Sequence, residues 1–464
     1  MTRHFAVLGR ACLAAAGFAL ALPAGASAHV LTERYQAPLP LAAYVLGAAL
    51  AVAMSFAFVM LRSAPRSPAA EAAPDTSPAR PVPGWLRVGL GALGLLAWAW
   101  IVGQTLFGGG GEGDVASLFV WVYGWVGVAL VSALIGPAWS FLDPFSTLHR
   151  GLEAATRRLG IGNAADATGG RGLPERLGAW PAAVGFAIVV WLELVARIEG
   201  GRTLGLLLIG YTFVTLAGMS LVGRDEWRQR GEVFSVWFGL LGRLAPYALD
   251  GPPEEGRLRR QPLGTGLRRP WPPALLALLT LGTGSIIFDG LSQTEIYFRL
   301  FGPTALPGMP AMLVDSIVLV VFMAVLLGLV FGAARVLGTR ALGAGLLPVA
   351  VGYLIAHYLT FLLVDGQRIV LALNDPLQRG DNLLPLDLGF HEPVLFLPSA
   401  LIWSIQLAAV VGGHVVGAWA GHAALVEERG RPSVAQQLPL AGLMILLTSV
   451  TLWSLGQAVI LEPH

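Results

Sequence analysis

The stretch AMLVDSIVLVVFMAVLLGLVFGA at residues 311–333 decides the fold class of this 464-residue chain. Across its whole length it carries a single ionisable side chain, Asp315. A helix needs about 20 predominantly apolar residues to cross the ~30 Å hydrocarbon core of a bilayer. The stretch therefore predicts a transmembrane helix.

The rest of the chain has the same character, with 55% hydrophobic and only 12% charged residues. A soluble domain carries about 25% charged residues. We predict an all-α fold, a polytopic membrane bundle of about ten transmembrane helices that forms a single integral membrane domain over residues 29–464. The predicted spans lie near residues 40–61, 85–106, 115–136, 179–196, 203–221, 271–290, 311–333, 342–364, 397–420 and 438–459.

The first 28 residues have the three parts of a signal peptide. Arg3 and Arg10 precede a short apolar segment, and Ala-Ser-Ala at 26–28 offers a cleavage site. Cleavage there would leave His29 as the mature N-terminus, where its α-amine and imidazole could bind one metal ion. Imidazole suits copper in particular. The alternatives are an uncleaved anchor and a histidine without a function.

Arginine supplies all 30 basic residues, and its distribution predicts the topology. With His29 outside, the segments near 62–87, 137–178, 222–270, 334–341 and 421–437 face the cytoplasm and hold 22 arginines, against six in the outer segments. This asymmetry satisfies the positive-inside rule and places both mature termini on the outer face.

The predicted cytoplasmic loops are 62–84, 137–178 and 222–270. The first is rich in Pro, Ala and Ser and is typical of a flexible linker. The third contains an amphipathic stretch, 232–244, flanked by arginines. We predict that this stretch is a helix lying on the anionic inner leaflet.

Several function classes lack support in the sequence. The chain has no lysine, which excludes a P-loop, and it has no HExxH, GxSxG or CxxC motif. Its only cysteine, Cys12, lies in the predicted signal peptide. A net charge of +2 does not indicate nucleic-acid binding. No nucleotide or flavin is expected, and the lipid bilayer is the one certain partner. Protein partners are not indicated.

Ionisable residues inside the spans are the main functional candidates, because each costs a few kcal/mol at bilayer depth. The topology places them together in the outer third of the membrane, where they could form a cation site, a proton relay or a metal-dependent active site. The alternative is that these side chains are simply hydrated at the membrane interface. This alternative applies least to His357, which lies deeper and beside Tyr358. These residues are Glu193, Asp289, Asp315, His357 and Asp365.

The ninth span carries two further polar candidates, Gln406 and His414. Gln406 could line a substrate or proton path. His414 is a candidate metal ligand, but it lies roughly 10 Å or more deeper than the outer cluster, so it could instead line a path inward. Glycines at 413, 417 and 421 form a small-residue stripe that predicts close helix packing.

Four collinear stretches give the chain a resemblance to the bacterial multi-pass membrane proteins known as fenitrothion hydrolases. It departs from that family's pattern at Val30, where a glycine is expected, and at Glu33-Arg34. The four stretches are HVLTERYQAPL at 29–39; DEW at 225–227 with GEVFS at 231–235 and RLAP at 243–246; GSIIFDGLS at 284–292; and IAHY at 355–358 with Gly366-Gln367, Trp403, Gln406 and GHV at 413–415.

The resemblance implies a protein of the bacterial inner membrane that hydrolyses organophosphorus aryl esters. In such an enzyme, Asp289, His357 and Asp365 would be catalytic residues. His29, His357 and His414 would bind one divalent or copper ion. Glu193, Asp315, Tyr358 and Gln406 would line the substrate or proton path.

Two other functions remain open at this stage. Buried carboxylates and an acidic outer loop also fit a transporter or permease for a metal ion, copper above all, or for a small solute. Alternatively, the polar residues only bridge helices in a structural or assembly subunit.

Overall fold

The computed structural model describes residues 40–62, 78–109, 114–160, 172–251, 255–384, 393–430 and 432–455. Ten of its helices are long and apolar enough to cross a membrane, which confirms the prediction of an all-α polytopic bundle. The signal peptide at 1–28 and His29 lie outside the described residues, as does most of the loop at 62–84.

The helices follow the predicted spans to within several residues. The longest membrane helices exceed the roughly 20 residues that a bilayer requires. In chain order the main helices are α1 (Leu41–Arg62), α2 (Gly84–Phe107), α3 (Val115–Leu134), α4 (Pro144–Arg158), α5 (Trp180–Leu194), α6 (Gly201–Val222), α7 (Arg224–Arg230), α8 (Val233–Leu241), α9 (Pro273–Ser292), α10 (Glu295–Phe301), α11 (Ala311–Leu337), α12 (Thr339–Asp365), α13 (Ser399–Arg429) and α14 (Val434–Leu455).

The loops predicted to be cytoplasmic meet on one face of the bundle, here called the arginine-rich face. A three-stranded antiparallel sheet joins two of them, because β1 (Arg80–Pro81) and β2 (Tyr247–Leu249) both pair with β3 (Arg257–Arg260). Ion pairs join the others, including Arg228–Asp143 at 3.4 Å and Arg340–Glu427 at 2.5 Å. The helices therefore alternate in direction as the arginine distribution predicts.

Helices α12 and α13 make the most extensive helix–helix contact in the bundle and pack at short range. A Cβ atom added at Gly413 would lie 2.6 Å from the Pro348 carbonyl oxygen, and one added at Gly417 would collide with the Gly345 carbonyl oxygen. The glycine stripe is thus a packing surface, as predicted. Helices that approach this closely gain dispersion contacts, which drive association in lipid.

The amphipathic stretch after residue 232 does not lie on the lipid surface, so that prediction was wrong. Helix α8 is buried within the protein, with Trp237 only 2% exposed and its ring packed against Phe186. His422, on α13, is also buried and shares a 2.6 Å hydrogen bond with Gln437. Helix α8 and the part of α13 around His422 pack against neighbouring helices. No pattern within their own sequences indicates this packing.

Two buried carboxylates cap helices on the arginine-rich side. Asp143 caps α4 by accepting hydrogen bonds from the backbone N–H groups of Phe145 and Ser146. Glu232 caps α8 in the same way and accepts a hydrogen bond from the Tyr211 hydroxyl. Burial and the neighbouring charge of Asp143 raise the pKa of Glu232.

Two irregular helices face the opposite side of the bundle. Helix α3 is wound as a π-helix over Leu118–Val128. The α-helical part of the fourth span, α5, has 15 residues, or about 22 Å at 1.5 Å per residue. Its last residue is Leu194, one beyond Glu193, and Val195 is its C-cap.

The first helix of the chain packs against the last two. Helix α1 contacts α13 and α14 through a buried stripe of small and apolar residues. The ring of Tyr44 meets the ring of Trp403 edge-on at 5.7 Å. The first described membrane helix therefore packs against the last two.

Candidate functional site

A cavity of about 850 Å³ opens at the end of the bundle opposite the arginine-rich face. Its walls come from α3, α5, α9, α12 and α13, so five separate parts of the chain meet there. The polar and aromatic lining residues are Asp114, Ser117, Trp121, Trp125, Glu193, Glu199, Asp289, Gln293, His357, Tyr358, Thr360, Phe361, Asp365, Arg368, Ser399, Trp403 and Gln406.

The centre of the site is a hydrogen-bonded pair between α9 and α12. His357 Nε2 donates to Asp289 Oδ2 at 2.7 Å, and the Gln293 side chain donates to Asp289 Oδ1 at 2.8 Å. The side chain of His357 is 5% exposed and that of Asp289 17%.

One ring nitrogen of this pair has no hydrogen-bond partner. His357 Nδ1 is buried and makes no hydrogen bond within the described residues. The bond from Nε2 to a carboxylate fixes the ring, so Nδ1 is a preoriented polar atom at a cavity wall.

Tyr358 connects the pair to two other helices. Its hydroxyl lies 3.4 Å from Asp289 Oδ2 and hydrogen-bonds with the Trp125 side chain of α3. Glu193 lines the same cavity as Tyr358 and Asp289. Glu193 is placed here by α5, one residue before that helix ends.

The outer part of the cavity is also acidic. Asp365 forms an ion pair with Arg368 at 3.1 Å, and Asp114 accepts a 2.6 Å hydrogen bond from the Gly201 backbone. Together with Glu193, Glu199 and Asp289, these residues give the lining five carboxylates against one arginine and one histidine. The cavity therefore concentrates cations and repels anions.

The structure brings together six of the candidate residues: Glu193, Asp289, His357, Tyr358, Asp365 and Gln406 all line the cavity. Asp315 does not line it. Its carboxylate accepts a 2.6 Å hydrogen bond from the Tyr297 hydroxyl, and burial and this carboxylate raise the pKa of Tyr297. Asp315 thereby ties α11 to α10 beside the site.

His414 is separate from the cavity as well. It is completely buried in α13, and its Nδ1 donates to the Val410 carbonyl at 2.8 Å. The described residues contain no group of three or more His, Cys, Asp or Glu side chains that could hold a metal ion. His357 and His414 therefore do not form a shared ligand set with the residues described.

Sequence reasoning missed several lining residues, among them Asp114, Glu199 and Arg368. The same topology that placed Asp289 near the outer surface also places these three at outer helix ends. No signal in the sequence indicates them, because they lie in short loops. A charged residue in such a loop is in contact with water and has no desolvation cost. Trp121 and Trp125 gave no signal, because a tryptophan in an apolar span is ordinary.

Comparisons with protein-family models, with characterised proteins and with solved structures find no match to this chain. The fold and the cavity are therefore the basis for assigning a function.

Proposed function

We propose that the protein is a permease that takes up a small cation in the acidic cavity and exchanges it for a proton. The observation that carries this proposal is the surplus of carboxylates in a cavity at the end of the membrane helices opposite the arginine-rich face. Charged groups at such depth are costly and mark ion or proton pathways. A purely structural subunit would not need five carboxylates around open space.

The Asp289–His357 pair is suited to hold the exchanged proton. A cation that enters beside Asp289 and Glu193 favours their ionised forms and repels a proton from the site. His357 is hydrogen-bonded to the carboxylate, and its second nitrogen has no partner among the described residues, so it can receive or release a proton. Binding and proton release are then coupled by charge alone.

The irregular helices around the cavity also support transport. Transporters bind substrates where membrane helices are interrupted, and helix C-termini there attract cations. Helix α5 ends at Leu194, one residue beyond Glu193. The π-helical segment of α3 supplies Leu118, Trp121, Val122 and Trp125 to the cavity wall, and π-helical turns recur at functional sites.

Asp289→Asn is expected to abolish proton exchange. The amide keeps the size of the side chain but cannot bind and release a proton. Proteoliposomes with a transmembrane pH gradient and a pH-sensitive dye would be challenged with sodium, magnesium, copper and choline chlorides. At least one of these salts should dissipate the gradient in wild type, and the variant should lose more than about tenfold in initial rate.

Asp315→Asn is the matched control, because Asp315 lies near the site but does not line the cavity. Its rate should remain within about twofold of wild type. The proposal is wrong if none of the salts moves protons, or if Asp289→Asn transports as well as wild type.

Hydrolysis of organophosphorus aryl esters is the second candidate, and the Asp289–His357 pair is the observation that favours it. His357, oriented by Asp289, would take a proton from water as the oxygen bonds to phosphorus. The phosphorus–aryloxide bond breaks, and the phenolate leaves and later takes up the proton. In this step His357 acts as the general base. The acidic cavity disfavours an anionic leaving group, which ranks this function second.

A spectrophotometric assay with fenitrothion separates the two candidates. A hydrolase should release the nitrophenol in stoichiometric excess over protein, and His357→Gln should lower kcat by about a hundredfold or more, as expected for loss of a general base. Wild-type protein that binds cations but releases no phenol would eliminate the hydrolase.

A further inference from the structure

We propose that the cation taken up by the cavity is a small organic ammonium compound, held between the Glu193–Asp289 carboxylates and the aromatic side chains of α3, α12 and α13. This inference rests on the proposed function and names its substrate class. It rests on the size of the cavity and on the aromatic side chains of its walls.

The size of the cavity favours an organic molecule over a bare metal ion. Sites for small organic ligands occupy about 300–1,000 Å³, and the cavity falls in this range at about 850 Å³. A metal ion instead needs several ligand atoms within about 2–2.6 Å of one point. Among the described residues, no three potential ligand side chains converge in this way.

The cavity walls are aromatic where the carboxylates lie. Trp125 and Tyr358 are joined by a hydrogen bond, and the Trp121 ring meets Trp125 edge-on at 6.0 Å. Trp403 lines the cavity from α13. Aromatic faces attract ammonium groups, and they do so most strongly when the groups are desolvated, which is how aromatic cages bind quaternary ammonium ligands. An inorganic ion that keeps its water shell would gain little from these rings.

Two unused polar atoms indicate that the ligand carries an oxygen as well. Trp121 is only 7% exposed and lines the cavity, yet its indole N–H has no partner within the described part of the chain. His357 Nδ1 is buried and unpartnered in the same sense. Buried polar groups are normally satisfied, so each is a place for a ligand atom.

Choline and its neutral isostere, in which carbon replaces the nitrogen, give a test that needs no variant. Isothermal titration calorimetry on the full-length protein in detergent should show choline binding at least about tenfold more tightly than the isostere. Magnesium chloride at the same ionic strength should compete no better than sodium chloride. Equal binding of choline and the isostere, or binding of neither, would overturn the inference.

Two variants test the named residues. Glu193→Gln and Trp121→Leu should each weaken choline binding about tenfold or more, while Trp121→Phe, which keeps an aromatic face, should lose less than Trp121→Leu. Asp315→Asn should bind as wild type does. Unchanged affinity in both Glu193→Gln and Trp121→Leu would contradict the inference even if choline binds.

The outcomes distinguish this inference from the function on which it rests. Proton exchange driven by sodium, magnesium or copper but not by choline would overturn the ammonium assignment and leave the permease intact. No proton exchange with any salt would overturn the permease, whatever choline does in the calorimeter.

Discussion

Gly417→Leu is expected to prevent formation of the native bundle. Even the Cβ atom of the new side chain would collide with the Gly345 carbonyl oxygen on α12, and backbone cannot yield as a flexible side chain can. Overpacking costs about 1–3 kcal/mol in ordinary cores, and a backbone clash between the two central helices should reach or exceed the upper value. The measurement is the apparent Tm in detergent, together with the monodisperse fraction in size-exclusion chromatography.

Gly412→Leu is the matched control on the same helix. A Cβ at Gly412 meets nothing within 4 Å, so the same substitution five residues earlier should leave the Tm within a few degrees of wild type. Gly417→Ala should fall between the two. Equal Tm values for Gly417→Leu and Gly412→Leu would show that α12 and α13 are not as close as described.

Asp143→Ala should produce the second large loss of stability. Asp143 is 2% exposed, caps α4 and forms an ion pair with Arg228, which is itself only 7% exposed. Removing one partner of a buried pair leaves an uncompensated charge and costs about 3–5 kcal/mol, and losing the cap adds about 1 kcal/mol. We expect a lower apparent Tm and a lower yield of folded protein.

The double variant Asp143→Ala/Arg228→Leu tests the cause of that loss. If the unpaired arginine is responsible, removing it should recover part of the lost stability, because the arginine that lost its partner is no longer buried there. As an exposed comparison, Glu295→Ala breaks the Glu295–Arg299 pair and should cost less than about 1 kcal/mol. A double variant no more stable than Asp143→Ala would assign the effect to the cap alone.

The fold was predictable because bilayer thickness dictates helix length. The ten spans follow from apolar runs such as 311–333, and their direction follows from the arginines. Helix α8 was not predictable in the same way. Its sequence is amphipathic at helical spacing, and whether such a helix faces lipid or protein depends on what else occupies that space, here Phe186 and its neighbours.

The cavity was predictable in part, for a related reason. Desolvation cost identifies Glu193, Asp289 and His357 as unusual, and a shared depth suggests that they meet. Depth does not give the angle around the bundle, so the same reasoning included Asp315, which lies at a similar level but pairs with Tyr297. The packing order of the helices supplies that angle, and no single-helix pattern encodes it.

The packing of α1 against α13 and α14 also determines when the protein can be completed during its synthesis. The first residue of α14 is made 393 residues after the first residue of α1. At about 5–20 residues per second, α1 must wait roughly 20–80 s in the membrane with its buried stripe facing lipid. Over that interval its small residues Ala48, Ala49 and Ala53 expose no charge and little apolar surface to unwanted partners. The packing of α1 is therefore completed only after α14 has been synthesised.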